Sequence, residues 1–397
     1  MMITVSYRFP AGADAAKLAK VIAIGQTVGS WGAEFSHRAQ AMAAHTAQVL
    51  DIQPQADGSH IARIGFPRIN TENDIASLLT MIFGKFSLAG PARVMAIELP
   101  DDYGTGAKFG IEGIRAKLEV HDRPLIMAIF KPALGLSAQD HADLLSQVAP
   151  EGLDLIKDDE INFDLRTAPT LDRVKACHRV LEELRQKQGR DLLYAVNISG
   201  RADQIVDTAR RLQDAGANAL LLNVLCFGYS VLEALAAHPD VEVPIFAHPA
   251  LSGAIGGATD GSSDYGIDYS VLLGTLMAYG GADAVLVPAH YGSLPFAAQS
   301  EFRIRDILRN PPAGRRKVLP VPSAGVTPGI TRRALADYGN DVALNAGSAI
   351  FDHPLGAAAG VRAFFQALDA VKHQRPLNAA VDHPRELKTA LEKWGGD

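Results

Sequence analysis

Eight apolar runs recur between Leu125 and Leu344: Leu125–Phe130, Leu153–Ile156, Leu192–Val196, Ala219–Val224, Val243–Ala247, Ala284–Val287, Val318–Val321 and Val342–Leu344. A helical or loop segment follows each run. Strands apolar on both faces are buried on both faces, as in a parallel sheet wrapped by helices. Eight such βα units in roughly 250 residues match the size of a (β/α)8 barrel. An open doubly wound sheet with fewer strands would give a similar rhythm, and the polar residues separate the two. Lys131, Lys157-Asp158-Asp159-Glu160, Asn197, Asn223, His248, His290, Ser323-Ala324-Gly325 and Asn345-Ala346-Gly347-Ser348 all fall at or near the end of a run. In a barrel those positions share the C-terminal rim, where active sites of this architecture sit.

The chain before the runs reads differently. Ile3–Arg8, Gln48–Gln53, Ser59–Phe66 and Ala92–Glu98 are strand-like, whereas Ala15–Ile24 and Glu72–Phe83 have helical spacing. The order βαββαβ predicts a small ferredoxin-like sandwich. Gly360–Val371 and Arg385–Trp394 read as closing helices. The expected fold class is therefore α/β: a C-terminal (β/α)8 TIM barrel at 121–370, an N-terminal α+β ferredoxin-like domain at 1–120 and a helical tail at 371–397. A chain of 397 residues is long enough for two or three domains.

The charge sum of −6 leaves no excess of cations to neutralise nucleic-acid phosphates, although a small anion needs only a local site. The N-terminus lacks the basic-then-apolar pattern of a signal peptide, and no stretch is long enough to span a bilayer. Cys177 and Cys226 form no closely spaced pair and read as buried thiols. The expectation is a cytoplasmic protein with no nucleic-acid or membrane partner.

The segment Lys157-Asp158-Asp159-Glu160 carries most of the chemical information. Adjacent carboxylates at the end of a buried strand repel one another unless a cation compensates, and hard oxygen ligands suit Mg²⁺; the alternative is a solvated acidic turn. Lysine changes its pKa readily when buried, so Lys157 could take up CO₂ as a carbamate and become an oxygen ligand, or simply pair with Asp159. The corners at Ser323, Gly325, Gly347 and Ser348 follow the last two strands, where small residues let backbone N–H groups meet an anion; tight turns would need the same residues. His248 and His290 are candidate site contacts or satisfied core histidines. Lys131 and Lys85 are candidate bases or enolate stabilisers, with an exposed turn as the alternative for Lys85. No GxSxG, HExxH or GxxxxGK[ST] motif is present.

Phe130-Lys131-Pro132-Ala133-Leu134-Gly135, Gly152 to Glu160, Asn197 and Ser323-Ala324-Gly325, with the head and barrel, resemble the RuBisCO large-subunit superfamily from the first strand to about residue 370. The resemblance implies Mg²⁺ held by Asp159, Glu160 and a CO₂-derived carbamate on Lys157. It also implies Lys131 and His248 in the active site and a phosphate on Ser323, Gly325, Gly347 and Ser348. A homodimer follows too, with Ser30, Trp31 and Lys85 acting on the partner's barrel. The family's carboxylases carry a lysine on the loop after the sixth strand; here that loop is His290-Tyr291-Gly292-Ser293-Leu294-Pro295-Phe296. Pro249 replaces the arginine that grips a second phosphate, and the acidic residue expected shortly before Gly29-Ser30-Trp31 is missing. A RuBisCO-like protein acting on a monophosphate is implied, not a carboxylase.

Phe83-Gly84-Lys85, Lys108 to Arg115 and Ala247-His248-Pro249-Ala250 resemble the 2,3-diketo-5-methylthiopentyl-1-phosphate enolases of methionine salvage, in which the lysine matching Lys85 is the base. His290 and the altered corner Ser348 to His353 point instead to a sister group, the 3-oxo-isoapionate 4-phosphate decarboxylases and transcarboxylase/hydrolases. The primary expectation is therefore Mg²⁺-dependent enolate chemistry on a phosphorylated keto-sugar acid, with Lys131, His248 or His290 handling the proton. The enolase is the alternative, and a non-catalytic binding protein the third reading.

Overall fold

The computed structural model describes residues 2–378 and 380–396. Strands β1 (Met2–Phe9), β2 (Gln48–Pro54), β3 (His60–Pro67) and β4 (Arg93–Glu98) pair antiparallel in the order β4-β1-β3-β2. Alternate residues of β1, namely Ile3, Val5, Tyr7 and Phe9, are fully buried, as the period of two demands. Helix Ala15–Gly25 buries Ala15, Ala19, Ile22 and Ala23, and Asp14 caps it by accepting from Lys17 N–H at 3.0 Å.

The helix expected at Glu72–Phe83 is broken at both ends. Glu72 and Asn73 adopt φ of 47° and 66°, so the helix begins at Ile75, where Asp74 accepts from Ser77 N–H at 2.8 Å. It widens into a π turn at Thr80–Gly84 and tightens to 3-10 over Lys85–Leu88. Such local widening recurs at functional positions, and here it ends on Lys85. The short helices Ala33–Arg38 and Ala39–His45 bury no residue; with no apolar stripe to reveal them, the sequence reading missed both.

The eight expected barrel strands are β5 (Leu125–Ile129), β6 (Leu155–Lys157), β7 (Leu193–Asn197), β8 (Ala219–Leu222), β9 (Ile245–Ala247), β11 (Ala284–Pro288), β12 (Leu319–Ser323) and β13 (Ala343–Ala346). They run parallel in the order β12-β11-β9-β8-β7-β6-β5-β13. At the seam Asn345 Nδ2 on β13 donates to Ser323 Oγ on β12 at 2.8 Å. Leu125, Met127, Leu155, Leu193, Phe246 and Leu286 fill the interior, while Ile126, Ala128, Ile156 and Tyr194 face the helices. Both faces are apolar, which is why each strand read as an unbroken run. Helix Gly110–Leu118 closes the N-terminal end by sending Ile111, Ile114 and Leu118 into that interior. The buried Asp283 anchors it, accepting from Gly110 N–H at 2.9 Å and from Ile245 N–H at 2.9 Å.

One strand escaped the sequence reading. β10 (Gly266–Ile267) leaves the barrel half of the chain and adds a parallel edge to β4, opposite Arg93 and Val94. Two residues are too short a run for any pattern. Arg93, 1% exposed, seals the junction by donating to Gly256 O at 2.6 Å, Tyr265 O at 3.0 Å and Asp268 at 3.3 Å. The thiol expectation holds for Cys177, which is buried, but not for Cys226, which is exposed: it lies on the helical turn Val224–Phe227 and not in a strand. Among the described residues no helix is long and apolar enough to cross a membrane.

Head and barrel also meet through Glu233 on helix Tyr229–Ala237, whose two carboxyl oxygens each lie 3.3 Å from Ile75 N–H. Burial pushes this carboxyl up to about 7, with the Asp74 charge adding to the effect. A folded-state value above the unfolded one means that the bound proton stabilises the fold at low pH. That contribution is lost as the pH rises through about 7. Glu233→Gln therefore melts above wild type near pH 8, and the two melting curves converge as the pH falls below about 5; differential scanning calorimetry across that range checks it.

Candidate active site

The sequence expected one polar rim, and the C-terminal ends of the barrel strands enclose a cavity of about 270 Å³ lined by Lys131, Lys157, Asp159, Glu160, His248, Leu294, Ser323 and Ala324, among others. Lys157 ends β6 with its side chain 1% exposed. Its Nζ donates to Asp158 O at 2.9 Å and lies 4.0 Å from Glu160 Oε2. Burial pulls the amine down to about 8 despite three neighbouring carboxylates, so about a tenth of it is neutral at pH 7, far more than for a free lysine.

The three adjacent carboxylates part company. Asp158 turns away from the cavity and is fully buried, accepting from Arg173 Nη2 at 3.0 Å, Tyr194 OH at 2.7 Å and Asn197 N–H at 2.9 Å. Asp159 turns toward it and takes a hydrogen bond from Lys131 Nζ at 2.7 Å. Burial alone would raise Asp159, but that bond and the charges of Lys131 and Lys157 hold it below the usual carboxylate value. Glu160 faces the same space, and its backbone carbonyl is fixed by Asn197 Nδ2 at 3.0 Å and Asn223 Nδ2 at 2.9 Å.

His248 Nε2 stands 3.5 Å from Glu160 Oε2. Ala250 N–H donates to its Nδ1 at 3.2 Å, which leaves the proton of the neutral ring on Nε2. Burial, aided by the Lys157 charge, pushes the ring well below its ordinary value, so it is neutral at physiological pH. Ser323 and Gly325 sit at the corner after β12, and Gly347 and Ser348 open the short helix Ser348–Phe351 after β13. A Cβ on Gly347 would come within 3.2 Å of Lys131 Cε; glycine there lets the lysine lie flat along the rim.

Four expected residues lie elsewhere. His290 does not line the cavity; its ring is held between Glu301 and Arg333. Lys85 lines two clefts on the head, one of them together with Ser30, and Trp31 is 46% exposed. Within one chain these head residues stay apart from the barrel cavity. Arg173 and Glu301 were missed in sequence, although each carried a signal: a lone charge within the apolar stripe of its helix, Arg173 with Val174 and Cys177, Glu301 with Ile304 and Leu308. Such a charge needs a buried partner.

Residues 110–394 match the family described as ribulose bisphosphate carboxylase large chain, catalytic domain. The chain belongs to the RuBisCO large-chain family. It is 58% identical over 395 residues to a 2,3-diketo-5-methylthiopentyl-1-phosphate enolase of Microcystis aeruginosa, covering 100% of both chains. To the enzyme of the same name from Exiguobacterium sibiricum it is 41% identical, over 99% of this chain and 98% of the other. The crystal structure of a RuBisCO-like protein from Alicyclobacillus acidocaldarius superposes with a TM-score of 0.90 at 40% identity, over 100% of both chains. The octameric RuBisCO of Pyrococcus horikoshii does so with 0.89 at 26%, over 99% of this chain and 93% of the other. By the family match and these relatives, this is a RuBisCO-like enzyme of the enolase type and not a carboxylase.

These relatives overturn the primary expectation of a keto-sugar acid substrate, and the structure supplies the reason. The two histidines among the features that motivated it are built into the scaffold. His290 is spent on Glu301 and Arg333, while His353, 4% exposed, places Nε2 3.0 Å from Glu386 O of the C-terminal helix.

Proposed function

We propose that the chain is a 2,3-diketo-5-methylthiopentyl-1-phosphate enolase, which removes a proton beside a carbonyl and returns one to oxygen. The observation that carries this reading is the end-to-end 58% identity with the Microcystis aeruginosa enzyme of that name. The reading places the enzyme in the cytoplasm.

The donor set suits Mg²⁺ on one condition. Among the described residues no three His, Cys, Asp or Glu side chains converge as a ready-made cation site; Asp159 and Glu160 supply two carboxylates, and a carbamate formed from CO₂ on Lys157 completes the set. A buried amine flanked by carboxylates and partly neutral has the character that reaction needs. When bound, the metal supplies Lewis-acid polarisation of the diketone oxygens.

The chain's own residues do the rest. Gly325, Gly347 and Ser348 offer backbone N–H groups to the single phosphate, with the Ser323 hydroxyl beside them. Lys131, its ammonium held against Asp159, places a cation beside the oxygens on which enolate charge develops. His248, neutral with its proton on Nε2, can donate to an oxygen. Lys85 takes the proton from carbon. Because it stands on the head with Ser30 and Trp31, it serves the barrel of a second copy, and the active unit is a homodimer.

Purified protein preincubated with Mg²⁺ and bicarbonate should convert the diketone phosphate to its enol, followed by absorbance; no enol under those conditions overturns the reading. The shared site has its own test. Lys85→Ala and Lys157→Met chains, each inactive alone, regain about a quarter of the wild-type rate when mixed and reassorted at random, since half the dimers then carry one intact site. Absence of recovery places Lys85 outside the partner's site.

A further inference from the structure

Behind the loop that follows β11 lies a cluster that the chemistry above does not use. The His290 backbone N–H and Nδ1 both donate to Glu301 Oε2, at 2.6 and 2.7 Å. Arg333 Nη2 donates to His290 Nε2 at 3.0 Å. Arginine has only donors and a carboxylate only accepts, so the partners fix the tautomer, with the proton on Nδ1. Glu301 is fully buried and takes a further bond from the Tyr338 hydroxyl. Buried carboxylates persist where their hydrogen bonds are filled, and here three donors fill them. The ring also packs edge-on against Tyr291 and Phe302, with centroids 4.7 and 5.3 Å away.

From His290 the loop runs directly onto the corner after β12. Ser293 N–H donates to Ala324 O at 2.6 Å. A Cβ on Gly292 would fall 2.0 Å from that oxygen, and one on Gly325 would fall 2.5 Å from Ser293 N. The two backbones thus touch with no room for side chains. The corner needs such support: Ala324 and Gly325 have φ of 67° and 105°, a region costly for alanine and held only when surrounding structure imposes it. Leu294 and Ala324 line the cavity, and His290 does not.

We propose that His290 is a positioning residue: clamped between Glu301 and Arg333, it holds loop 290–296 against Ala324–Gly325 and so sets the backbone groups that receive the substrate's phosphate. The proposal deepens the enolase reading and rests on the phosphate role given there to this corner. It also replaces the expectation that His290 handles a proton, because both ring nitrogens are engaged with protein.

The test compares His290→Ala, His290→Asn and Arg333→Ala. The asparagine amide keeps a donor where Nδ1 stood and so retains the bond to Glu301. Expected for His290→Ala is a rise of about 10- to 100-fold in KM for the diketone phosphate and in Kd for inorganic phosphate, measured calorimetrically, with kcat within a few fold of wild type. His290→Asn, which keeps the bond to Glu301 but loses the one from Arg333, and Arg333→Ala, an exposed change that leaves the core intact, each raise them only several-fold. A fall in kcat of about 100-fold in both His290 variants with KM unchanged would show proton transfer and overturn the proposal. Unchanged phosphate affinity in His290→Ala would do the same. Wild-type protein that turns over the diketone but binds no inorganic phosphate removes the role of the corner, and this proposal with it, while leaving the enolase reading standing.

Discussion

Lys157→Met is expected to lower enol formation by at least about 10³- to 10⁴-fold, because several kcal/mol of charge stabilisation at the developing enolate are lost and each 1.36 kcal/mol is about tenfold in rate. Methionine keeps the unbranched apolar stem of the lysine, one atom shorter, but can neither ionise nor take up CO₂. The fold should not suffer. The amine's folded-state value is lowered to about 8 by burial, so below that pH the native state holds a proton less tightly than the unfolded chain, and the charge costs stability. The variant's melting temperature at pH 7 therefore equals or exceeds that of wild type, and the difference closes as the pH rises from about 8 toward the unfolded value of about 10.4. Enol absorbance and calorimetry on the same preparation decide the matter. Retained activity would exclude a carbamate at Lys157, and lost activity with a lower melting temperature would make the residue structural.

Arg173→Met is expected to destabilise the protein by about 3–5 kcal/mol, the usual effect of removing one partner from a buried pair. Arg173 and Asp158 are each fully buried, and the guanidinium also donates to Phe163 O at 3.1 Å and Asn162 O at 3.3 Å. Burial works against the arginine's charge, yet the facing Asp158 outweighs it and holds the proton more firmly than usual. Without the arginine, Asp158 is left buried with no cationic partner, and the segment that aims Lys157 and Asp159 loosens with it. The midpoint of urea unfolding should fall with its slope unchanged, and Asp158→Asn added to Arg173→Met should recover part of the loss. A loss below about 1 kcal/mol would mean that the pair is solvated, contrary to its burial.

The barrel was legible because strands buried on both faces are written as unbroken apolar runs, and β1 because burial on one face is written as alternation. The rim residues followed, since a polar residue at the end of such a run has few other places to go. Three things were not legible, each for a physical reason. Lys157-Asp158-Asp159-Glu160 looks like one acidic cluster, yet consecutive side chains leave an extended backbone on opposite sides, so Asp158 became an anchor and Asp159 a cavity residue. The partners of His290 stand 11 and 43 positions away, and no local pattern links them, so the sequence left a site contact and a satisfied core histidine open and the substrate expectation followed the first. That choice, with His353, drew the substrate expectation to the wrong group. β10 was too short to have a pattern at all.

The short strand β10 makes the head's sheet depend on the barrel half of the chain. Cut near residue 120, the head would expose the bare hydrogen-bonding edge of β4, the kind of edge that recruits strands from other molecules. Arg93 would lose Gly256 O, Tyr265 O and Asp268 together, leaving an unpaired guanidinium at that edge. The head is thus a graft that the barrel itself finishes, and a head expressed alone would need new residues to seal that edge.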